Sequence, residues 1–313
     1  MCARPWATSS KLTKHKKRET IFRPLCYCYG VALKVAMHPF PRLIIIVILL
    51  IFPYVHADAA QFAEVSDRKT ADLAEVIKNV EGADVIFIGE AHDNALHHKA
   101  QLEILRSLHT KKLTMAIGLE VFTTEYQQQL DDWTGGKLDE ESLKPIYSRN
   151  WSYGWQLYRD LLIFARDNHI QLIALNVPKT VISKLVAQGS SALQESEIPP
   201  KITWSLNETQ AAYMRTIARQ VFGNTPPDKL VTRLCEAQAL RNSWMAWTVA
   251  KYKQTHEADK VVVLAGMWHA VKSGIPERLS TYEKLTYKVI LPELPEFNLE
   301  SATVKETDYL IMN

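Results

Sequence analysis

The sequence predicts an α/β fold: a mostly parallel sheet sandwiched by helices, with a small inserted helical domain. Three observations lead there. Short runs of Val, Ile, Leu and Phe recur without polar alternation, as strands buried on both faces do. Stretches with apolar residues at helical spacing lie between them. The two kinds of segment alternate over most of the chain, which is the pattern of βα units.

The elements are taken in chain order. Ala83 to Ile88 reads as a buried strand, and Asn94 to Leu108 as a helix with Leu102, Ile104, Leu105 and Leu108 on one side. Leu113 to Leu119 is the next strand. A helix over Trp155 to Asn168 precedes a strand over Gln171 to Leu175. A helix over Leu234 to Lys251 precedes the apolar run Lys260 to Ala265, and Tyr287 to Leu291 and Asp308 to Met312 are late strands. Ser190 to Leu230 breaks the rhythm with Pro199-Pro200 and Asn224-Thr225-Pro226-Pro227, and Glu208 to Val221 between them reads as helix. The expected organisation is therefore a sheet domain from 58–189 and 231–313, with a helical insertion at 190–230.

Residues 1–57 read as an address. Leu43 to Phe52 is an unbroken apolar run of ten residues behind Arg42. That is short for a bilayer span of ~20 residues but fits a signal-peptide core of ~7–15. Val55-His56-Ala57 supplies small residues before a cleavage point at Asp58, and Met37 is an alternative start that would give a compact leader. An uncleaved signal anchor is the other reading. Cys26 and Cys28 precede the apolar run, so a lipoprotein is not expected, and the protein is expected to be exported to the periplasm or secreted. Cys235 is the one cysteine after the leader, which excludes an internal disulfide there. The leader holds nine Lys/Arg and one acid, so a chain of net charge +3 leaves −5 on residues 58–313. A mildly acidic folded part gives nucleic-acid binding no electrostatic footing.

The residues just past each strand are chemically informative. VIFIG is followed by Glu90-Ala91-His92, AIGL by Glu120, LIAL by Asn176 and VVVLAG by Met267-Trp268-His269. The carboxyl edge of a parallel sheet carries the binding crevice, so these residues are expected to converge. Glu90, His92, Glu120 and His269 could bind a divalent metal, or do acid–base work without one. Gly89 and Gly266 would permit close backbone approach. His98 could point back over the strand end, Asn176 reads as a turn former, and His97 is expected to be exposed. The aromatic stretch Trp151, Tyr153, Trp155 and Tyr158 reads as core, or as the wall of a flat-ligand site. Arg149 and Arg159 flank it and could meet a carboxylate or propionate.

These pieces resemble the ChaN-like haem-binding uptake family of the Tiki/TraB/erythromycin-esterase superfamily. The matching blocks are GEAHDNALHHKAQ (89–101), GLEVF (118–122), Trp151 to Tyr158, LIALNVP (172–178), EAQALRNSWMA (236–246) and AGMWHAVKSGIPERL (265–279). They occur in the family's order and cover most of 70–290. The resemblance implies an α/β domain with a small helical part, a homodimer, haem as ligand and a haem receptor or transporter as partner. It carries the superfamily's site residues onto Glu90, His92, His98, Glu120 and His269. Two departures stand out: the missing lipobox, and Arg241 and Asn242 where relatives usually carry a tryptophan and an acid. Tyr213 is a candidate oxygen ligand for haem iron, and the absence of CxxCH excludes covalent haem. Three readings stay open: a haem-binding protein of iron uptake, a periplasmic hydrolase using the strand-end cluster, and a non-catalytic interaction domain.

Overall fold

The computed structural model describes residues 60–204 and 227–312, together with Glu208, Ala211, Ala212, Met214, Arg215, Thr216 and Arg219. The leader, Tyr213 and most of the expected 208–221 helix lie outside these residues. No helix among those described is long and apolar enough to cross a membrane.

The elements are β1 (Gln61–Glu64), β2 (Lys69–Ala71), α1 (Leu73–Val80), β3 (Val85–Glu90), α2 (Ala95–Thr110), β4 (Met115–Thr123), α3 (Gln127–Thr134), α4 (Glu140–Asn150), α5 (Trp155–Asp167), β5 (Gln171–Asn176), α6 (Lys179–Gln188), α7 (Asp228–Thr255), β6 (Lys260–Gly266), α8 (Met267–Ala270), α9 (Ile275–Leu279), β7 (Tyr287–Pro292) and β8 (Tyr309–Met312). They form one eight-stranded sheet in the order β2-β1-β8-β7-β3-β6-β4-β5. The six strands from β8 to β5 run parallel; β1 follows beside β8, antiparallel to both β8 and β2, and β2 forms that edge. The α/β class and the mostly parallel sheet expected from the sequence are what the chain forms.

Each central strand divides its side chains between two layers, because successive residues point to opposite faces. Ile86 and Ile88 of β3 join Val262 and Leu264 of β6 under α1, α2 and α5. Val85 and Phe87 join Val261, Val263 and Ala265 under α7 and α9. All six residues of β3 and all nine of β4 are buried, which explains their unbroken apolar runs.

Polar residues close the helix ends. Asp72, Asn94 and Asp139 are N-caps whose side chains accept backbone N–H groups of α1, α2 and α4, donors with no partner inside the helix.

The order of the central strands sets up the site. From β3 the chain passes to β4 and then to β5. It returns to lay β6 between β3 and β4, and places β7 on the far side of β3. Glu90 is in register with Gly266, and Leu119, just before Glu120, with Leu264. Two acid-bearing strands therefore flank one that ends in glycine. The β4–β5 register shifts between Leu119 and Thr123, beside Glu120, the kind of irregularity that re-aims a side chain. In the expected insertion, residues 190–192 and 195–197 are 3-10 turns, and α7 begins earlier than the expected helix, at Asp228. Val181, Leu185, Ile202, Leu240 and Trp244 form a small separate apolar cluster there.

Candidate functional site at the strand ends

Glu90 is buried at the end of β3 and surrounded by donors. The Tyr158 hydroxyl donates to its Oε1 in a short contact. Gln101 Nε2 donates to Oε2 at 2.8 Å, and His92 Nδ1 lies 3.0 Å from Oε1. Burial by itself would raise the carboxyl's pKa. The bond to His92, the neighbouring imidazoles and the Tyr158 hydroxyl outweigh it and hold the pKa below the usual value. Glu90 is thus a fixed anion.

That anion orients His92. A carboxylate only accepts, so Nδ1 carries the hydrogen and Nε2 is left for the pocket. Burial would lower the imidazole's pKa, but the bond to Glu90 and the charges of Glu120, Glu90 and Asp93 raise it. The ring sits edge-on to Trp151 with centroids 4.9 Å apart, and 5.0 Å from Tyr153. It also lies directly over Gly266, where a Cβ would fall 2.6 Å from its Cε1. Gly266 contributes a second contact, since its N–H donates to Glu120 Oε2 at 2.7 Å.

His269 lies just past β6 and is held in a similar way from α7. Its Nδ1 is 2.5 Å from Asn242 Oδ1, a bond in which the ring N–H donates. Its Nε2 then points toward Glu120 Oε1 at 3.4 Å. Burial pushes the His269 pKa down to about 4; Glu120 opposes this, and Arg241 and His92 reinforce it. At neutral pH the ring is uncharged. Its bare Nε2 and the Glu120 oxygen are therefore two acceptors facing each other, short of a hydrogen that a water or ligand can supply.

Glu90, His92, Glu120, Trp151, Tyr153, Gln238, Arg241 and His269 line one cavity of about 430 Å³, with Met214, Trp268 and Leu294 among its apolar walls. That volume lies within the range of small-molecule sites. A larger cavity of about 640 Å³, beside Trp204 and Cys235, has no imidazole among its lining residues.

Residues 76–279 match the family model for haem-binding uptake, Tiki superfamily, ChaN. The chain belongs to this family. A solved structure with the same fold is that of cofacial haem binding to ChaN of Campylobacter jejuni. Its TM-score is 0.67 at 20% identity, over 81% of this chain and 96% of that one. The chain is also 31% identical over 132 residues to the chloroplastic protein RETICULATA-RELATED 5 of Arabidopsis thaliana. That match covers 40% of this chain and 18% of the plant protein.

Within this ChaN-family chain the structure brings Glu90, His92, Glu120 and His269 together, as expected from their places at the strand ends. It corrects several other expectations. His98 points back over the strand end as expected, but it does not line the cavity. It is buried behind Glu90, with Nε2 donating to the His92 carbonyl at 3.1 Å and Nδ1 3.3 Å from Glu90 Oε2. It positions the Glu90–His92 pair. His97, expected at the surface, is buried and accepts the Ala91 N–H at 3.0 Å, because the turn after β3 folds over the start of α2. Arg159 grips Glu140 through two nitrogens, and Arg149 Nε donates to the Pro145 carbonyl at the exposed end of α4. Neither lines the cavity.

Among the described residues no group of three or more His, Cys, Asp or Glu could hold a metal ion, so the divalent-metal reading has no support. The reason is visible in the bonding, since Glu90 faces Tyr158, Gln101 and His92 while one Glu120 oxygen is taken by Gly266.

The aromatic stretch divides between its two expected roles. Tyr158 and Trp155 are buried, while Trp151 and Tyr153 form the pocket wall. Asn176 does more than turn the chain: its Nδ2 donates to the Glu120 carbonyl at 3.0 Å.

Gln101, Gln238 and Asn242 lie beyond the reach of the strand-end pattern. Gln238, Arg241 and Asn242 stand at i, i+3 and i+4 on α7, hence on one helix face. Their shared face, among the mostly buried residues 237–246 of the helix, is the signal that could have marked them.

Proposed function

We propose that this protein binds haem and serves its uptake as an exported protein. The observation that carries the reading is the family match over residues 76–279, and the C. jejuni likeness supports the fold it requires. The strand-end cavity has the chemistry for the ligand. Haem iron accepts imidazole nitrogen, and two neutral-capable imidazoles here have Nδ1 tied down and Nε2 free of it. The Glu90 carboxylate on the His92 Nδ1–H fixes the tautomer and makes Nε2 more basic, as carboxylates behind metal-bound histidines do. Trp151, Tyr153 and Trp268 offer aromatic faces beside them. When bound, haem would supply a ligand-accepting iron and a flat apolar surface. The chain's own residues hold the imidazoles in place and shield them from solvent.

Delivery to a receptor or transporter and assembly as a homodimer belong to the same reading. The apolar run 43–52 supports export.

Titration of the chain from Asp58 onward with haem, followed in the Soret region, tests the proposal. A shifted Soret band in the wild type, lost in His92→Ala/His269→Ala, is the expected result. A shift that survives in the double variant places haem on another surface. No shift in the wild type rejects haem binding.

A further inference from the structure

Arg241 is the unexplained charge in the cavity. It comes from the middle of α7, lines the pocket, and its Nε is buried without a hydrogen-bond partner. Guanidinium does not give up its proton in proteins, so the pocket holds a permanent cation. Among the described residues the Glu120 carboxylate is spoken for nearby: Oε2 takes the Gly266 N–H, and Oε1 faces His269 Nε2. Glu120 acts on Arg241 through the field, opposing the burial that depresses the guanidinium's pKa.

A half-buried cation whose Nε is buried without a partner is expensive to keep. An apolar side chain of similar length would suit the neighbouring Met214 and Trp268 better. Gln238, one helical turn away, adds an amide on the same wall. Its Nε2 lies 3.2 Å from His269 Nδ1. The hydrogen on that Nδ1 is already directed at Asn242, so the Gln238 amide hydrogens are available to an acceptor. Beside that amide the His269 Nε2 and Glu120 Oε1 pair wants a donor hydrogen. The lining is complementary to one kind of small molecule, an oxyanion that also carries a hydroxyl or amine.

We propose that the strand-end cavity is an anion-recognition site in which Arg241, aided by Gln238, binds a ligand carboxylate. Two sources share that chemistry, a haem propionate and a free hydroxy-acid. The haem arm rests on the function proposed above; the free-acid arm stands without it.

The test uses haem, haem dimethyl ester and lactate as probes on the chain from Asp58 onward. The variants are Arg241→Gln, Arg241→Lys and Arg241→Met. Loss of a charge-assisted contact weakens binding by roughly ten- to a hundredfold. If the anion is a propionate, Arg241→Gln weakens haem but not its dimethyl ester. If it is a free acid, the same change weakens lactate, measured calorimetrically, and leaves haem alone. Lysine restores part of either loss, since it keeps the charge without the planar fork. Thermal unfolding separates ligand recognition from a structural role. A ligand-binding cation predicts that Arg241→Met melts at the wild-type temperature or higher. Equal affinities in wild type and Arg241→Gln for all probes overturn the proposal. So does a wild type that binds neither haem nor lactate, and so does a lower melting temperature for Arg241→Met with affinities unchanged.

Discussion

Substituting Gly266 by alanine isolates the contact on which the site depends. Gly266 has φ −53° and ψ 142°, a conformation open to any residue, so the backbone does not require glycine. The space does. A Cβ would sit 2.6 Å from Cε1 and 2.9 Å from Nε2 of His92. Carbon atoms pack at about 3.5–4.0 Å, so the imidazole must retreat by roughly 1 Å. It has little room to do so, being bonded to Glu90 and set against Trp151 and Tyr153. Overpacking of this kind costs about 1–3 kcal/mol, and the stiffer unfolded chain offsets about 0.4–1 kcal/mol. The expected net loss is about 1–2 kcal/mol, or roughly 2–8 °C of melting temperature for a folded unit of this size. As the ring moves off Glu90, the His92 pKa should fall from its raised value. Thermal unfolding and an NMR titration of the His92 ring read the two effects. Gly82→Ala is the control, since nothing lies within 4 Å of its Cβ position. A Gly266→Ala protein as stable as the wild type, with the His92 pKa still raised, would refute the close-approach argument.

The remaining predictions concern the buried charges. Tyr158→Phe removes one donor from the Glu90 carboxylate and should cost about 1–3 kcal/mol in urea unfolding; a loss below about 0.3 kcal/mol would show that the contact contributes nothing. The pH dependence has opposing parts. Glu90, with a depressed pKa, contributes stability above its unfolded value of about 4.3 that is lost as pH falls through the folded pKa. His92, with a raised pKa, contributes below about 6.5 and loses that contribution as pH rises through its folded value. His269 is held neutral down to about 4, while the unfolded imidazole takes a proton near 6.5; it therefore costs stability as pH falls through that window. Urea midpoints at pH 7, 5.5 and 4.5 should fall more steeply for wild type than for His269→Gln, and parallel curves would remove His269 as the cause.

Much of the fold was legible because burial on both faces leaves a direct mark. The runs around Val85, Ile117, Leu172 and Val262 could be read as central strands without knowing their neighbours. The edge strands over 61–64 and 69–71 were not, since four- and three-residue segments with exposed positions carry no periodicity. The candidate site divided in the same way. Glu90 closes β3, Glu120 lies three residues inside the end of β4 and His269 follows β6, so a search of the carboxyl ends of the buried strands finds all three. His98 points back over the strand end, as its six-residue separation from His92 allows, but that separation does not say that the ring stands behind Glu90 rather than in the cavity.

The sequence by itself determined the element types, the parallel sheet and the set of residues delivered to its carboxyl edge, because those follow from local apolar pattern and strand polarity. Tertiary structure decided the rest. Laying β6 between β3 and β4 put Gly266 between two carboxylates, and packing α7 across the sheet edge brought Gln238, Arg241 and Asn242 to His269. Which carboxylate is enclosed by donors, which imidazole stays neutral and which cation is left without a close partner among the described residues are set by burial and by distances between residues far apart in the chain. No local pattern encodes those quantities.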